Sequence, residues 1–322
     1  MRLNFDQIKS VTFGAVGIKE EEGVLSFFKC TDRQTEAWFA QSETLGNRAL
    51  TTTGIRLDFH TNSRTLRFGA PKGGKFDLLI DDELRKQFIR GDGELICEVD
   101  LCSAVARAKE EARVTLVFPS HSVGTLSFVE IDDGAYIKPH EFDRKILFIG
   151  DSITQGHNSK YDSLSYAWQA TLALNADSVI NGIGGAYYHI PSFDKPNFDP
   201  DTVILAYGTN DSMRYKDTPD VMYRQVTGYL DLIKEHYPNK RVVVLSPIFR
   251  ATADFAPIGE WFDARRLMIE DEAKKRGFTA ISGLTLMPPI PDCFADKYLH
   301  PNDLGFSIYA LNLINKLKEM GV

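Results

Sequence analysis

The sequence of 322 residues predicts an α/β fold, a doubly wound parallel sheet, preceded by an all-β sandwich domain. Up to about residue 140, short stretches alternate apolar and polar residues between turn residues. After that point, apolar runs of strand length alternate with helical patterns. We therefore predict a sandwich domain at residues 1–140 and an α/β domain at residues 141–322, with a linker at 132–143.

The first half carries stretches with the length and spacing of sandwich strands. They include "GIRLDFHT" (54–61), "TLRFGA" (65–70) and "RVTLVFPS" (113–120), with turn residues about every ten positions. The segment "GAPKGGKF" (69–76) resembles a phosphate-binding loop, but Phe76 stands where such a loop needs Ser or Thr. We interpret this segment as a hairpin turn.

The second half contains five apolar runs bounded by Gly, Pro or Asp. A helical pattern with one apolar stripe lies between two of them, at 220–237. Strands that alternate with helices form parallel sheets covered on both faces, and ligands bind beyond the carboxyl ends of their strands. The runs are "KILFIGD" (145–151), "SVING" (178–182), "TVILAYG" (202–208), "RVVVLSP" (241–247) and "FTAIS" (278–282).

Charge and composition narrow the class of protein. The net charge of −7 disfavours a nucleic-acid partner, since such proteins usually carry a basic face. The apolar runs are too short to span a membrane and the first residues lack a signal-peptide pattern, so we predict a cytoplasmic protein. The cysteines show no metal-binding spacing; we expect reduced thiols, no metal and no cofactor, and the oligomeric state stays open. These cysteines are Cys30, Cys97, Cys102 and Cys293.

Ser152 lies between the end of the first α/β strand and a predicted helix, in "FIGDSITQG" (148–156). A hydroxyl at this place, with free backbone N–H groups around it, suits a nucleophile whose reaction intermediate is an oxyanion. The same segment could also serve only to turn the chain and cap the helix.

The ends of the next two strands offer hydrogen-bond donors for an oxyanion. Gly185, in "NGIGGAYYH", can bring a backbone N–H close to a ligand. Asn210, in "YGTNDS", can donate from its side-chain amide to the same oxygen. Each segment alone is also typical of a turn.

His300 precedes the last predicted helix, in "HPNDLGF", with Asn302 or Asp303 as the N-cap. Pro301 disfavours helical backbone at His300, and a nearby helix N-terminus disfavours the imidazolium ion. We therefore predict a neutral ring that acts as a base.

The four segments "GDSIT", Gly185, "GTND" and "HPNDLGF", in this order, resemble the SGNH (GDSL-type) hydrolase family over roughly residues 144–320. The resemblance implies a flavodoxin-like sheet, with Ser152 as nucleophile and His300 as base. It also implies an oxyanion hole formed by Ser152, Gly185 and Asn210. The first half is similar to the jelly-roll-like module that precedes the catalytic domain in some carbohydrate acetylesterases.

The carboxylate departs from the family pattern. The family has Asp-x-x-His-Pro, whereas Lys297 stands at the matching position and Asp296 lies one residue earlier. We predict that a bulged or turned segment brings Asp296 to His300. The alternatives are a backbone carbonyl that orients the ring, which would leave a Ser-His dyad, or a contribution from Asp292.

The resemblance implies a serine esterase that hydrolyses short acyl esters, with acetyl favoured, of a carbohydrate-like or other small hydroxylated substrate through an acyl-Ser152 intermediate. An acyltransferase with the same acyl-enzyme and a catalytically inactive carbohydrate-binding or interaction protein are the alternatives. Tyr187, Tyr188, His189 and Arg250 are candidates to line the substrate pocket. Core packing or a plain surface position is the alternative for the first three, and an exposed salt bridge is the alternative for Arg250.

Overall fold

The computed structural model describes residues 1–101 and 111–322 of the chain. Cys102 lies outside these residues. The described antiparallel strands are β1 (Thr12–Phe13), β2 (Gly17–Glu21), β3 (Val24–Phe28), β4 (Arg56–Thr61), β5 (Thr65–Ala70), β6 (Lys75–Ile80), β7 (Glu83–Ile89), β8 (Leu95–Asp100), β9 (Ala112–Val117), β10 (Thr125–Leu126), β11 (Phe128–Ile131) and β12 (Lys138–Pro139).

These strands form three antiparallel sheets. The largest has the order β1-β4-β9-β6-β7, with β12 paired to β4. The two smaller sheets have the orders β10-β3-β2 and β11-β5-β8. Alternate residues of the strands point into one apolar core, which includes Phe59, Phe68 and Phe118. The predicted antiparallel sheets of the first half are confirmed.

The loop at 69–76 is not the hairpin turn that we predicted. Its flanking strands β5 and β6 belong to different sheets, because β5 pairs with β8 and β11 while β6 pairs with β7 and β9. The segment therefore crosses from one sheet to another. Local glycine content indicates a turn, but it does not show which strands become partners.

In the described part of the first half, three helices interrupt the strands, and the strand-like rhythm of the sequence did not predict them. The second begins with a capping box, in which Thr31 and Gln34 bond each other's backbone N–H groups, and Ser42 caps the third. These caps are the sequence signal that could have revealed the helices. They are α1 (Phe5–Ser10), α2 (Asp32–Gln41) and α3 (Glu43–Ala49).

The second half is a five-stranded parallel sheet with the order β14-β13-β15-β16-β17. This order, with helices on both faces, is the doubly wound flavodoxin-like arrangement and confirms the predicted fold class. Its strands are β13 (Arg144–Gly150), β14 (Ala176–Gly182), β15 (Thr202–Ala206), β16 (Arg241–Leu245) and β17 (Thr279–Ile281). Its helices are α4 (Ser152–Gln155), α5 (Tyr166–Ala173), α6 (Thr209–Arg214), α7 (Pro219–His236), α8 (Glu260–Lys275) and α9 (Asp303–Glu319).

The two halves are packed against each other along the edge strand β14. Arg56 of β4 donates from Nη2 to the carbonyl of Ala176 at 3.0 Å, and Leu79 and Val117 belong to the same apolar cluster as the helix side chains of the second half. The change from antiparallel to parallel pairing falls between β12 and β13, and on this basis we propose the division at 140/141. Within residues 1–101 and 111–322, no helix is both long and apolar enough to cross a membrane.

Candidate active site

Ser152 is the first residue of α4, directly beyond the end of β13. Asp151 caps this helix, since its Oδ1 accepts a hydrogen bond of 2.9 Å from the N–H of Ile153. Burial raises the pKa of Asp151 to about 7. The side chain of Ser152 therefore stands at the carboxyl edge of the sheet, where the sequence predicted it.

His300 lies beside Ser152 although the two residues are 148 positions apart in the chain. Its Nε2 is 2.9 Å from the Oγ of Ser152. The helix that follows is capped by Asn302, whose Oδ1 accepts from the N–H of Gly305 at 3.0 Å. Phe294 and Pro301 form an isolated β-bridge that closes the loop carrying the histidine. The loop thus holds the ring beside the Ser152 hydroxyl.

Asp296 contacts His300 through both of its carboxylate oxygens. Oδ2 lies 2.6 Å from Nδ1 of the ring, and Oδ1 accepts from the backbone N–H groups of Tyr298, Leu299 and His300 at 3.1, 2.9 and 3.0 Å. Lys297 makes this turn possible, because its φ of 64° lies in the left-handed region. The segment is turned rather than extended, as in the first of the three possibilities.

The other two possibilities for the carboxylate do not describe the observed contacts. Nδ1 of His300 meets a carboxylate oxygen rather than a backbone carbonyl. The side chain of Asp292 is 87% exposed, and its Oδ1 lies 3.6 Å from Nζ of Lys297. Asp292 therefore contacts the residue that replaces the family's aspartate, not the histidine.

The hydrogen bonds around Asp296 fix its charge and the state of the ring. Burial raises the pKa of Asp296, but the hydrogen bonds from Leu299 and the His300 ring outweigh this effect and hold it below the ordinary value. The carboxylate therefore accepts a hydrogen bond from Nδ1–H, and among the two neutral tautomers this selects the one protonated on Nδ1. Nε2 is left as the acceptor for the Ser152 hydroxyl.

The predicted oxyanion donors belong to Ser152, Gly185 and Asn210, which line one cavity. In the described hydrogen bonds, the N–H groups of Ser152 and Gly185 have no acceptor. Asn210 donates one Nδ2 hydrogen to the carbonyl of Ala186 at 2.9 Å, which leaves its second hydrogen for a ligand. Gly185 has a φ of +85°, and a Cβ there would meet Nη1 of Arg48 at 3.1 Å, so glycine suits this position.

Residues of the first half hold the glycine loop that carries Gly185. Lys29 is buried, and its Nζ contacts the carbonyl of Gly182 at 2.9 Å, with Thr51, Thr53 and the Arg48 carbonyl also within 3.1 Å. Burial lowers the pKa of Lys29 to about 8. We did not predict this lysine from the sequence, because nothing in its local pattern shows that it ends beside β14.

Gln155 and Arg48 fix the same loop from two further directions. Gln155 accepts from the N–H of Gly184 at 2.7 Å and donates to the carbonyl of Ser120 at 2.6 Å, which links the loop to the first half. Arg48 donates from Nη1 to the carbonyl of Gly184 at 2.8 Å. Residues of the β-rich half therefore help to hold the loop that carries Gly185.

A cavity of about 640 Å³ opens beside Ser152, and of the predicted pocket residues only Arg250 lines it. Tyr187, Tyr188 and His189 are not among its lining residues, and the alternative of core packing describes them. Their side chains are buried in the core, at 2%, 0% and 8% exposure, where Tyr187 and His189 pack around Trp38. They follow the glycine loop in sequence, but the chain turns them inward.

Two histidines that we did not predict from the sequence, His121 and His157, also line the cavity. The ring of His157 packs edge to face against that of His300, with 4.6 Å between the centroids. Partial desolvation, and then the neighbouring His300 and Arg48, lower the pKa of His157. Among the residues that the structure describes, no group of three or more His, Cys, Asp or Glu side chains could hold a metal ion.

Comparison with known proteins gives a family and a fold. Residues 148–308, half of the chain, match the family described as GDSL-like Lipase/Acylhydrolase. A salicylyl-acyltransferase from a tetracycline biosynthetic pathway has a similar structure, with a TM-score of 0.78 and 22% identity over 97% of this chain and 94% of that one. No curated protein sequence matches the chain.

Two carbohydrate esterases of known structure are also similar. A family two carbohydrate esterase from Clostridium thermocellum, solved with cellohexaose, has a TM-score of 0.63 and 16% identity over 84% of this chain and 93% of its own. An acetyl xylan esterase from Butyrivibrio proteoclasticus has a TM-score of 0.61 and 15% identity over 84% and 92%. At these identities the likeness shows the fold.

Proposed function

Because the chain belongs to the GDSL-like lipase/acylhydrolase family, and is thus a carboxylic ester hydrolase by class, we propose that it is a serine esterase. The proposed reaction passes through an acyl-Ser152 intermediate. One observation carries the proposal. The Oγ of Ser152, the imidazole of His300 and the carboxylate of Asp296 form a continuous hydrogen-bonded chain, with distances of 2.9 and 2.6 Å, at a cavity bordered by unengaged donors.

In the proposed reaction, Nε2 of His300 takes the proton of the Ser152 hydroxyl as Oγ attacks the ester carbonyl. The N–H groups of Ser152 and Gly185 and the free Nδ2 hydrogen of Asn210 hold the oxyanion. His300 then protonates the departing alcohol. Water, activated by the same ring, releases the acid from Ser152. Asp296 stabilises the imidazolium ion that forms in each step.

For the substrate, we propose a short acyl ester, with acetyl favoured, on a carbohydrate-like or other small hydroxylated molecule. The similar structures include an acetyl xylan esterase and a carbohydrate esterase solved with cellohexaose, which supports this class. A catalytically inactive binding protein fits less well, because such a protein would have no need of the intact hydrogen-bonded chain from Asp296 to Ser152.

Acyl transfer is a second candidate function. The salicylyl-acyltransferase covers 97% of this chain at a TM-score of 0.78, and the same acyl-enzyme could pass its acyl group to an alcohol. Product analysis with p-nitrophenyl acetate and added alcohol acceptors distinguishes the two. Transfer is favoured if the ratio of acetylated alcohol to acetate exceeds the ratio of alcohol to water in the reaction. Acetate as the only product favours hydrolysis.

The hydrolase proposal is tested with the variant Ser152→Ala on p-nitrophenyl acetate. The wild-type protein should release p-nitrophenol, and the variant should lose this activity by about 10⁴-fold or more. The thermal unfolding midpoint of both proteins controls for folding. A variant that keeps the wild-type rate would refute the role of Ser152.

A further inference from the structure

The cavity beside Ser152 is cationic, although the chain as a whole carries a net charge of −7. Two arginines, Arg48 and Arg250, and two histidines besides His300 line it, and no described aspartate or glutamate does. Burial lowers the pKa of His121 to about 4 and also lowers that of His157, so the two arginines carry the positive charge of the cavity. The partners of the two guanidinium groups decide whether this charge is available to a ligand.

Arg250 is half-buried and has few partners in the protein. Its Nη1 lies 3.4 Å from the carbonyl and from the Oγ1 of Thr209, both long hydrogen bonds. It forms no ion pair within 4.0 Å with any carboxylate of residues 1–101 and 111–322. A guanidinium has five N–H donors, and a partly desolvated one without an anion is costly. The remaining donors are available to a ligand in the cavity.

The acidic groups that act on Arg250 from a distance do not neutralise it. They are the Tyr298 phenol, then Asp151 and Asp296. The carboxylate of Asp296 accepts four hydrogen bonds from its own loop and the His300 ring. Asp151 is buried and caps α4, and burial raises its pKa to about 7, which reduces its negative charge near neutral pH. None of these groups forms an ion pair with Arg250, so its guanidinium remains open to an anion in the cavity.

Arg48 supplies a second cation across the same cavity. Its Nη1 donates a hydrogen bond to the carbonyl of Gly184. Like Arg250, it forms no ion pair with a carboxylate in the described parts of the chain. Arg48 thus borders the loop of Gly185, whereas Arg250 borders Thr209 and its neighbour Asn210. The two guanidinium groups flank the two loops that carry the proposed oxyanion donors.

We propose that this site takes esters that carry an anionic group, a carboxylate or a phosphate, bound by Arg250 with Arg48 as the second cation. Guanidinium groups match the paired oxygens of these anions and bind them with charge-assisted hydrogen bonds. Neutral sugar hydroxyls accept hydrogen bonds but leave the charge uncompensated. The inference rests on the proposed function and narrows its substrate to acidic molecules.

Matched substrate pairs test the inference because each pair places either an anion or a neutral group at the same position of the same ester. 4-Acetoxybenzoate against 4-acetoxybenzamide places the anion on the alcohol side, and phenyl hemisuccinate against phenyl succinamate places it on the acyl side. 4-Acetoxyphenyl phosphate against 4-acetoxyphenyl methyl ether adds a phosphate. We expect kcat/KM to favour the anion by roughly 10- to 100-fold in at least one pair at low ionic strength.

The ratio of anionic to neutral kcat/KM is then measured in Arg250→Gln, Arg250→Lys and Arg48→Gln. Because it is taken within one protein, a loss of folded enzyme cancels from it. Arg250→Gln should bring the ratio close to 1, with a partial loss in Arg250→Lys and Arg48→Gln. Arg224→Gln, on the exposed face of α7, should keep the wild-type ratio.

A wild-type ratio of 1 or below in all three pairs, or a ratio that survives Arg250→Gln, overturns the inference. Its failure is distinguishable from failure of the proposed function. If the wild-type protein hydrolyses p-nitrophenyl acetate through Ser152 without preferring anions, only the substrate class is wrong. If it hydrolyses none of these esters, the proposed function fails and the inference fails with it.

Discussion

The carboxylate of Asp296 accepts four hydrogen bonds, and His300 donates two of them, one from Nδ1 of its ring and one from its backbone N–H. One side chain therefore fixes both the ring and the backbone of a residue four positions later. The family pattern places the aspartate three positions before the histidine. Here the left-handed backbone of Lys297 takes up the additional residue, so that the carboxylate still reaches Nδ1.

The role of Asp296 is tested with Asp296→Asn. The asparagine Oδ1 still accepts from the backbone N–H groups, but its NH₂ group faces Nδ1 and favours the tautomer protonated on Nε2. Nε2 then cannot accept the Ser152 proton. We expect kcat/KM on p-nitrophenyl acetate to fall roughly 10³- to 10⁴-fold.

Asp292→Asn is the matched control for that variant. The carboxylate of Asp292 is exposed and lies 3.6 Å from Nζ of Lys297, so its substitution should change kcat/KM by less than about threefold. Circular dichroism and the thermal midpoint show whether both variants are folded. Equal activities of the two variants would mean that Asp296 has no special part in the reaction.

The backbone of Lys297 is tested by comparing Lys297→Gly with Lys297→Val. Both remove the lysine side chain, but only valine is strained at a φ of 64°, by about 1–2 kcal/mol. We expect the glycine variant to stay near wild-type activity and the valine variant to lose turnover and thermal stability. Indistinguishable variants would show that the left-handed residue is not needed to seat Asp296.

Lys29→Met tests the contribution of the first half to the oxyanion loop. The change removes the cation that contacts the Gly182 carbonyl, three residues before Gly185. Displacement of the donor should lower kcat by roughly 10- to 100-fold with a smaller effect on KM, since the oxyanion forms only in the transition state. Lys19→Met, at an exposed strand position, is the control. An unchanged kcat in a folded Lys29→Met protein would contradict the positioning role.

We expect Asp162 to make the free energy of unfolding depend on pH. Burial, and then repulsion from Asp77, raise the pKa of Asp162 from 3.8 to about 7. A carboxyl with a raised folded pKa stabilises the protein at low pH, and this contribution is lost as the pH rises from about 4 to about 7. Asp162→Asn should remove that loss, which amounts to at most about 1.4 kcal/mol per pH unit.

Urea unfolding at several pH values between 4 and 8 measures the effect. The free energy of unfolding of the wild-type protein should decline more steeply with pH than that of Asp162→Asn. Asp254→Asn, at an exposed position, should follow the wild-type slope. Equal slopes for all three proteins would show that Asp162 is not the titrating group.

The sequence pattern was sufficient for the parallel sheet and for the place of the proposed nucleophile and base. The apolar runs are long and the helices between them periodic, so β13 to β17 and α7 lie close to their predicted ranges. Ser152, Gly185 and Asn210 follow from the rule that ligands bind beyond the carboxyl ends of such strands. At these positions the secondary structure that the local sequence favours is the one that the fold contains.

Contacts that depend on the tertiary arrangement were not predictable in the same way. Lys29 and Arg48 reach the glycine loop only because the first half packs along β14. Tyr187 and Tyr188 adjoin that loop in sequence, yet they turn into the core. The approach of Asp296 to His300 depends on the left-handed backbone of Lys297. Lysine rarely adopts this conformation, so the sequence does not indicate it.

The central claim, that Ser152 is the nucleophile of an esterase, is tested most directly by labelling with a fluorophosphonate and mapping the adduct by peptide mass spectrometry. We predict a single adduct on Ser152, with labelling slowed by Asp296→Asn and abolished by Ser152→Ala. A folded wild-type protein that stays unlabelled, or one that carries the adduct on another residue, would contradict the claim.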